Sequence, residues 1–252
     1  MIPSPYVDPL FAYTFGRSKS YLSYQTIGSA FEEHVQNHPD REYVISRHQG
    51  IRRTYSQLMD EVNRFGKALV EAIGIRRGDV VAMWSANVYE FFVVQLALAR
   101  IGAIYCSVSP LYKSAELEHL LSKAKVKALV YPGPESIQNF AIDYAGTLEA
   151  ANKPLLKDLI YLESDDGPGT GIAGLRSHSL RYLINNSDGK ISRDIIEDVE
   201  PDDIANIFFT SGTTGKPKGA ATSHATVMNC QRFMLTSKRN IQQENDVKAC
   251  IP

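Results

Sequence analysis

The chain has 252 residues, 44% of them hydrophobic and 22% charged, which are proportions typical of folded globular proteins. This composition excludes an intrinsically disordered chain, and the length allows one large domain or two small ones around a sizeable core. The formal net charge of -1 excludes the broad basic surface that nucleic-acid binding requires, so nucleic acid is not an expected partner. Cys106, Cys230 and Cys250 lack metal-ligand spacing and are odd in number, which indicates reduced thiols in a reducing compartment.

The first part of the chain predicts a capped helix followed by a short hairpin. Thr26 is a good N-cap residue, and the apolar residues after it recur at helical spacing as far as the turn around Pro39. Residues 43–46 and Ile51–Thr54 are rich in β-forming side chains, and the polar residues between them favour a turn. We therefore expect two short antiparallel strands after the first helix.

Strands and helices alternate from Thr54 onwards, which predicts a mostly parallel sheet flanked by helices, with right-handed crossovers. The predicted strands are short apolar runs, and the predicted helices carry apolar residues every three or four positions behind a capping residue. In chain order, these elements are a helix capped by Thr54 and ending at Gly74, a strand at Val80–Trp84, a helix capped by Asn87 with Glu90, a strand at Ile104–Val108, a helix opened by Ser114, and a strand at residues 127–131. The expected fold class is therefore α/β.

Residues 91–112 contain one formal charge, Arg100, and their length approaches that of a membrane span. Gln95, Gly102 and Pro110 interrupt this stretch, and its apolar period changes from helical before Arg100 to strand-like after Gly102. We therefore predict a buried helix followed by a buried strand, and no membrane span.

Residues 132–200 carry weaker signals, with a helix predicted near residues 136–151 and a strand at residues 159–162. The acidic run at residues 194–203 is open to two interpretations, a cation-binding patch or a solvated helix with its connecting turn. We favour the second interpretation, because charge runs are usually solvated, and we assign no function to this run.

An apolar run at residues 204–209 predicts a buried strand that leads directly into a ten-residue segment rich in glycine, hydroxyl and lysine side chains. Small residues let backbone N–H groups approach an anion, hydroxyls donate hydrogen bonds, and ammonium groups neutralise negative charge. The segment therefore predicts a phosphate-binding loop, although its spacing fits neither the Walker pattern nor the dinucleotide GxGxxG pattern. The alternative is an ordinary surface loop, since these residue types also favour turns. The candidate binding residues are Thr210, Ser211, Gly212, Thr213, Thr214, Gly215, Lys216, Pro217, Lys218 and Gly219.

The segment from Thr210 to Gly219 resembles, without interruption, the phosphate-loop signature of the adenylate-forming superfamily. This superfamily contains acyl-CoA synthetases, firefly luciferase, coumarate ligases and peptide-synthetase adenylation domains. Shorter segments agree with the resemblance in the same order over most of the chain. They are residues 53–58, 78–82, 96–110 and 201–205. Within the superfamily, the surroundings of Ser85, Tyr112 and Glu116 look most like the mitochondrial medium-chain acyl-CoA synthetases.

The resemblance implies the nucleotide-binding front part of an acyl-CoA ligase. In the family, the carboxylate of a fatty acid attacks the α-phosphate of ATP and releases pyrophosphate, and the acyl-adenylate then passes its acyl group to the thiol of CoA. Residues 210–215 would surround the phosphates, and Lys216 and Lys218 would supply positive charge. The small molecules implied by the resemblance are therefore ATP, Mg²⁺, CoA and a fatty acid of medium chain length. The resemblance implies a mitochondrial protein, with a cytoplasmic one as the alternative, because no clear targeting segment is visible.

Two further residues are weighed as catalytic candidates. His224 follows the loop where Thr222 or Ser223 is expected to cap a helix, and a packing or capping role is favoured over that of a general base. Cys106 lies in a predicted strand, and a core position is favoured over a nucleophile because nothing nearby in sequence lowers its pKa. No residue is therefore assigned as catalytic.

In the family, further segments follow the position that corresponds to residue 252. They are the acyl pocket, the adenine-binding and Mg²⁺-binding segment, the ribose-binding aspartate, the hinge, and a small C-terminal domain with its catalytic lysine. We therefore expect residues 1–252 to form an incomplete AMP-binding domain that is inactive alone, with an exposed sheet that favours self-association. Two alternatives stay open: another adenylating ligase, such as a coumarate ligase or a peptide-synthetase domain, and a non-catalytic module that binds a nucleotide or pairs with a full-length relative.

Overall fold

The structure, a computed structural model, describes residues 21–133, 143–162, 174–210 and 217–236. A π-helical turn at Leu69–Ile73 extends the second helix. In chain order, the helices and strands of the described residues are α1 (Ile27–Asn37), β1 (Glu42–Ser46), β2 (Ile51–Thr54), α2 (Tyr55–Ala68), β3 (Val80–Trp84), α3 (Glu90–Arg100), β4 (Ile104–Val108), α4 (Ser114–Lys123), β5 (Val126–Tyr131), α5 (Tyr144–Ala150), β6 (Asp158–Tyr161), β7 (Arg176–Ser179), α6 (Leu180–Asn185), α7 (Arg193–Glu197), β8 (Ile204–Thr210), β9 (Lys218–Ser223) and α8 (His224–Thr236).

Of the described strands, seven form one sheet in the order β7-β6-β5-β3-β4-β8-β9, and β1 pairs with β2 in a separate antiparallel hairpin. Neighbouring strands from β7 to β8 run parallel, whereas β8 and β9 are antiparallel. The chain passes from β3 to β4 on one side and then returns across β3 to β5, so the direction of winding reverses at β3. The predicted α/β fold, a mostly parallel sheet flanked by helices, is confirmed.

Strand β3 is buried along its whole length and separates two apolar cores. Val81 and Met83 face the core formed with α1, α2, α3 and α6, whereas Ala82 and Trp84 face the core formed with α4 and α5. Successive side chains of a strand point to opposite faces, so a strand covered on both faces needs apolar residues at every position. The continuous apolar run at Val80–Trp84 follows from this two-sided burial.

Residues 91–112 form most of α3 and the whole of β4, which are largely buried against the sheet. Within the ranges that the structure describes, no helix is both long and apolar enough to cross a membrane. The prediction of a buried helix followed by a buried strand is confirmed.

Two threonines cap the first two helices as predicted. The Thr26 side chain accepts a hydrogen bond from the backbone N–H of Ser29, and Thr54 accepts one from the backbone N–H of Gln57. In return, the side chains of Ser29 and Gln57 accept hydrogen bonds from the backbone N–H groups of Thr26 and Thr54. Each pair therefore satisfies two backbone N–H groups that would otherwise be unpaired at the start of the helix. The second helix ends at Gly74, whose φ of 82° is a left-handed conformation that glycine adopts readily.

The start of α3 shows that the predicted cap at Asn87 was wrong. The helix begins at Glu90, and Gln49 from the β1–β2 turn supplies the missing partner. The Gln49 side chain accepts the Tyr89 backbone N–H at 2.7 Å and donates to the Glu90 carboxylate at 2.9 Å. Because Gln49 and Tyr89 are 40 positions apart, local spacing could not reveal this cap.

Most other predicted elements are present, with small shifts of their ends. Helix α4 begins at Ser114 as predicted, β5 begins one residue earlier than predicted, and β6 begins and ends one residue earlier. Of the helix predicted near residues 136–151, α5 covers Tyr144–Ala150, and residues 134–142 lie outside the described ranges. The short elements β7, α6 and β9 were not predicted. The two strands lack an apolar run because they consist of polar or small residues near the ends of the sheet.

The acidic run forms a short helix and a turn, as favoured from the sequence, and the turn is held by ion pairs. Asp198 and Asp203 lie 3.0 and 2.8 Å from the guanidinium of Arg77. Burial of the Asp203 carboxyl acts to raise its pKa, but hydrogen bonds from Arg77 and from the backbone N–H of Glu200 together lower it below its usual value. The run therefore anchors the chain just before β8, and a structural role accounts for the charges of Asp198 and Asp203.

We predict that Gly102→Ala lowers the free energy of unfolding more than Gly50→Ala does. Both glycines have positive φ, +70° and +66°, and alanine in this conformation costs about 1–2 kcal/mol of backbone strain. A Cβ at Gly102 would also lie 3.0 Å from Cγ of Arg77 and 3.1 Å from Cγ2 of Val199, whereas a Cβ at Gly50 meets nothing within 4 Å. Urea unfolding midpoints measure the difference, and equal shifts in the two variants would contradict the tight packing at Gly102.

Candidate functional site at the carboxyl edge of the sheet

The candidate phosphate-binding segment connects β8 to β9 at the carboxyl edge of the parallel strands. Strand β8 runs parallel to β4, with Ser107 opposite Phe208, and its antiparallel ladder with β9 ends where Thr210 lies opposite Lys218. Open α/β sheets bind their ligands beyond the carboxyl ends of the strands. The fold therefore brings both ends of the segment to the edge where such sheets bind ligands.

Four of the ten candidate residues lie in the described part of the chain. Thr210 and Lys218 are exposed cross-strand partners, Pro217 is half-buried, and Gly219 is exposed. The other candidates lie outside the described residues; they are Ser211, Gly212, Thr213, Thr214, Gly215 and Lys216. The structure thus brings the Thr210 and Lys218 ends together, and the phosphate-binding role of the whole segment stays a prediction.

Strand β8 is anchored on both of its faces. Asn206 is buried, and its side-chain oxygen accepts a hydrogen bond from the amide of Gln95 on α3 at 3.3 Å. On the other face, Ile207 and Phe209 pack against the core formed with α4 and α5. These contacts hold β8 in place, and β8 ends with Thr210 at the carboxyl edge of the sheet.

The prediction that β8 is a buried strand was wrong for part of its length. Ile204 and Phe208 are 43% and 42% exposed. Phe208 lies opposite Ala220 in the ladder, and so small a side chain gives its ring little cover. A strand near the end of a sheet is covered less completely than a central strand. An apolar run in the sequence does not tell these two positions apart.

Helix α4 contacts the segment where it enters β9. The Nε2 atom of His119 lies 3.0 Å from the carbonyl oxygen of Pro217, and its ring meets the Phe209 ring edge to face, with 6.5 Å between centroids. Because a carbonyl oxygen only accepts, the Nε2–H of His119 is the donor. The Phe209 ring also lies against Gly219, where a Cβ would come within 3.2 Å of Cζ. Sequence reasoning missed His119, which is 98 positions from Pro217 and belongs to no local motif.

His224 begins α8 and is fully buried, which confirms the expected packing role. Its Nδ1 accepts the backbone N–H of Ile27, the first residue of α1, at 3.2 Å, so Nδ1 carries no proton. Burial lowers the pKa of His224, while the negative charge of Asp203 acts in the opposite direction. Ser223 caps α8 as predicted, because its Oγ accepts the Thr226 backbone N–H at 3.2 Å. The His224 ring therefore links the starts of α1 and α8.

Cys106 is a core residue, as expected from the sequence. It is fully buried in β4 and belongs to the core formed with α4 and α5. Burial raises the pKa of its thiol to about 12, so the nucleophilic thiolate is scarce at neutral pH.

A cleft of about 770 Å³ lies between the hairpin, α2, α3 and α6. Its charged groups pair with one another: Arg53 contacts the Glu61 carboxylate at 2.6 Å, and the Tyr89 hydroxyl donates to the same carboxylate at 2.8 Å. None of the residues that line it belongs to the candidate segment. The cleft is therefore a separate feature in which much of the polar lining is already paired.

Known proteins are similar to this chain in sequence and in fold. The family model described as AMP-binding enzyme matches residues 31–252. The chain is 36% identical over 235 residues to the mitochondrial medium-chain acyl-CoA ligase ACSF2 of Bos taurus, covering 87% of this chain and 37% of that protein. It is 31% identical over 219 residues to the putative acyl-CoA synthetase YngI of Bacillus subtilis, covering 82% of this chain and 39% of that protein. The chain thus spans well under half the length of these curated relatives.

Solved structures share the fold. The anthranilate CoA ligase AuaEII in complex with anthranoyl-AMP matches with a TM-score of 0.65 and 21% identity, over 80% of this chain and 35% of that chain. The N-terminal domain of FACL13 from Mycobacterium tuberculosis matches with a TM-score of 0.63 and 22% identity, over 79% of this chain and 44% of that chain. At 21–22% sequence identity, the structural similarity shows that this chain and these proteins have the same fold.

We predict that His224→Asn reduces the loss of stability on acidification. The asparagine oxygen can accept a hydrogen bond from the Ile27 N–H and does not titrate. In His224, protonation of Nδ1 would place its N–H opposite the Ile27 N–H, and two donors cannot form a hydrogen bond. The pKa of His224 is lowered in the folded protein, so its contribution is complete above about pH 6.5 and falls as the pH drops below that value. The free energy of unfolding falls by about 1.4 kcal/mol for each pH unit over which His224 is protonated in the unfolded chain but neutral in the folded one.

Urea unfolding between about pH 5 and 8 measures this effect, with the exposed His48→Asn as the matched control. The wild-type chain and the His48→Asn variant should lose stability in parallel as the pH falls, and His224→Asn should lose less. Parallel loss in all three proteins would refute the role given to the buried ring.

Proposed function

Because this chain belongs to the AMP-binding enzyme family, we propose that its residues 210–219 bind the phosphates of ATP during the activation of a fatty acid to its acyl-CoA. The observation that carries the proposal is the connection between β8 and β9, which opens at Thr210 and Lys218 on the carboxyl edge of the sheet. A hydroxyl and an ammonium group at the two ends of a glycine-rich connection suit a polyphosphate. The segment therefore serves as the anion-binding part of the site.

The proposed reaction moves negative charge onto pyrophosphate. An oxygen of the fatty-acid carboxylate bonds to the α-phosphorus of ATP, the bond from that phosphorus to the oxygen bridging to the β-phosphate breaks, and the electron pair leaves with pyrophosphate. The CoA sulfur then bonds to the acyl carbon, the thiol proton is lost, and AMP leaves. Donors and cations that are in place before the first bond breaks stabilise the charge on pyrophosphate. We assign hydrogen-bond donation to Thr210 and charge neutralisation to Lys216 and Lys218.

Mg²⁺ and CoA belong to the proposed activity without an assigned site in this chain. Magnesium binds phosphate oxygens together with one or two carboxylates, and would neutralise part of the charge of ATP when bound. In the part of the chain that the structure describes, no group of three or more His, Cys, Asp or Glu side chains could hold a metal ion. We assign no protein ligand to Mg²⁺, no residue to CoA and no catalytic residue.

The substrate class and the compartment are proposed from the relatives. ACSF2 is named as a mitochondrial medium-chain acyl-CoA ligase, and the identity of 36% over 87% of this chain supports the same substrate class and compartment here. We further propose that this chain is the front part of an AMP-binding domain, since a match over 87% of it covers only 37% of the length of that relative. The complete reaction is accordingly proposed for the whole protein.

We predict that the 252-residue chain binds ATP and inorganic pyrophosphate, and that Lys218→Ala weakens pyrophosphate binding roughly tenfold. A charge-assisted hydrogen bond contributes about 1.5–3 kcal/mol, and because Lys218 is exposed, the lower end applies. Isothermal titration calorimetry measures both affinities. The exposed Lys157→Ala variant is the matched control, because it removes the same charge outside the segment. A wild-type chain that binds neither ligand would rule out the proposed function.

A second prediction concerns turnover. We expect the 252-residue chain to bind ATP without forming acyl-CoA, because its match covers only 37% of the length of the ACSF2 relative. The measurement is acyl-CoA formation from a medium-chain fatty acid, ATP, Mg²⁺ and CoA, with Lys218→Ala as the background control. Turnover above that control would contradict the assignment of this chain as the anion-binding part alone.

A further inference from the structure

We propose that His119 is a positioning residue, which holds Lys218 in the orientation that meets the polyphosphate. The inference rests on the proposed function and adds to it a side chain from a separate element, α4. Two contacts carry it, the hydrogen bond from His119 to the Pro217 carbonyl and the contact of its ring with Phe209.

The hydrogen bond acts on Lys218 through a rigid peptide unit. Pro217 has no backbone N–H, so its carbonyl is its one backbone hydrogen-bonding group. That carbonyl and the N and Cα atoms of Lys218 lie in the same peptide plane, which does not rotate freely. His119 Nε2 lies 3.0 Å from the carbonyl oxygen, and it therefore fixes the plane from which the Lys218 side chain departs.

The ring contact fixes the other side of Lys218. Phe209 is the cross-strand partner of Gly219, and its ring lies so close that a Cβ on Gly219 would come within 3.2 Å of Cζ. The His119 ring meets the same Phe209 ring edge to face. Lys218 therefore lies between two residues whose positions both depend on His119.

Helix α4 provides a rigid base for these contacts. Leu117 and Leu120 are fully inaccessible, and Leu121 is 2% exposed, so the helix is packed tightly against the sheet on both sides of His119 in the sequence. An imidazole has only two side-chain torsions, and little conformational freedom is lost when it is held. The exposed Lys218 has a long flexible side chain, and the fixed backbone limits the volume that its ammonium group can reach.

The role requires a donor at Nε2 and no proton transfer. Both the neutral Nε2–H tautomer and the doubly protonated ring donate from Nε2. Glutamine presents an amide N–H₂ at a comparable distance from the helix, so it can replace this function of the ring. A general base could not be replaced in this way, because an amide does not accept a proton near neutral pH.

The test is pyrophosphate binding to the full 252-residue chain, measured by calorimetry for His119→Leu and His119→Gln. We expect His119→Leu to weaken binding roughly three- to tenfold, the range that one neutral hydrogen bond supports. His119→Gln keeps the donor but loses the ring contact with Phe209, so we expect its affinity to lie between those of the leucine variant and the wild-type chain. The matched control is His48→Leu, which removes an exposed histidine from the separate hairpin and should leave the affinity unchanged.

A double-mutant cycle identifies the residue through which His119 acts. If His119 positions Lys218, then His119→Leu should cause little further loss in a chain that already carries Lys218→Ala. Thermal unfolding of each variant verifies that it is folded, and His119→Ala takes the place of His119→Leu in the cycle if the leucine variant does not fold.

The outcomes separate this inference from the proposed function. A wild-type chain that fails to bind pyrophosphate overturns both. Binding by the wild-type chain together with an unchanged affinity of His119→Leu, a fully additive loss in the cycle, or a glutamine variant as weak as leucine overturns the role of His119 alone.

Discussion

The burial of β3 on both faces is the constraint on which the rest of the structure depends. Its residues are at most 7% exposed, so helices must cover the sheet on two sides and the strand must be apolar at every position. The chain meets this requirement by placing α3 on one face and α4 on the other as it winds to β4 and then back to β5. The position of α4 beside β8, and with it the contact of His119 with Pro217, follows from that winding.

The β8–β9 hairpin shows how a buried sheet yields an accessible edge. Strand β8 continues the parallel sheet through β4, but its partner β9 runs antiparallel and consists largely of small residues. Small side chains leave Phe208 partly open to solvent and allow Phe209 to lie against Gly219. The hairpin is thus fixed to the core through Asn206, Ile207 and Phe209, while Thr210 and Lys218 stay exposed to solvent. Whether this exposed edge also leads to self-association stays a prediction.

Local chemistry predicted most of the elements, and contacts between distant residues account for the errors. Thr26, Thr54 and Ser223 cap helices through partners within three residues, so their spacing was informative. The cap of α3 comes from Gln49, and the support of Pro217 comes from His119, and neither pairing leaves a trace in nearby residues. Strands such as β7 lack an apolar run because they lie at the end of the sheet, where the fold demands fewer apolar residues. The ten-residue segment was found from its composition, but its support was not.

Gln49 has a consequence for how the molecule opens. Its side chain joins the hairpin turn to the first residues of α3, and Tyr89 at that junction donates to Glu61 of α2, which also binds Arg53 of β2. The two short strands could not be stable alone, and these bonds connect them to two long helices. We therefore expect the hairpin, α2 and the start of α3 to open as one cooperative unit, so that their backbone amides become available to solvent together.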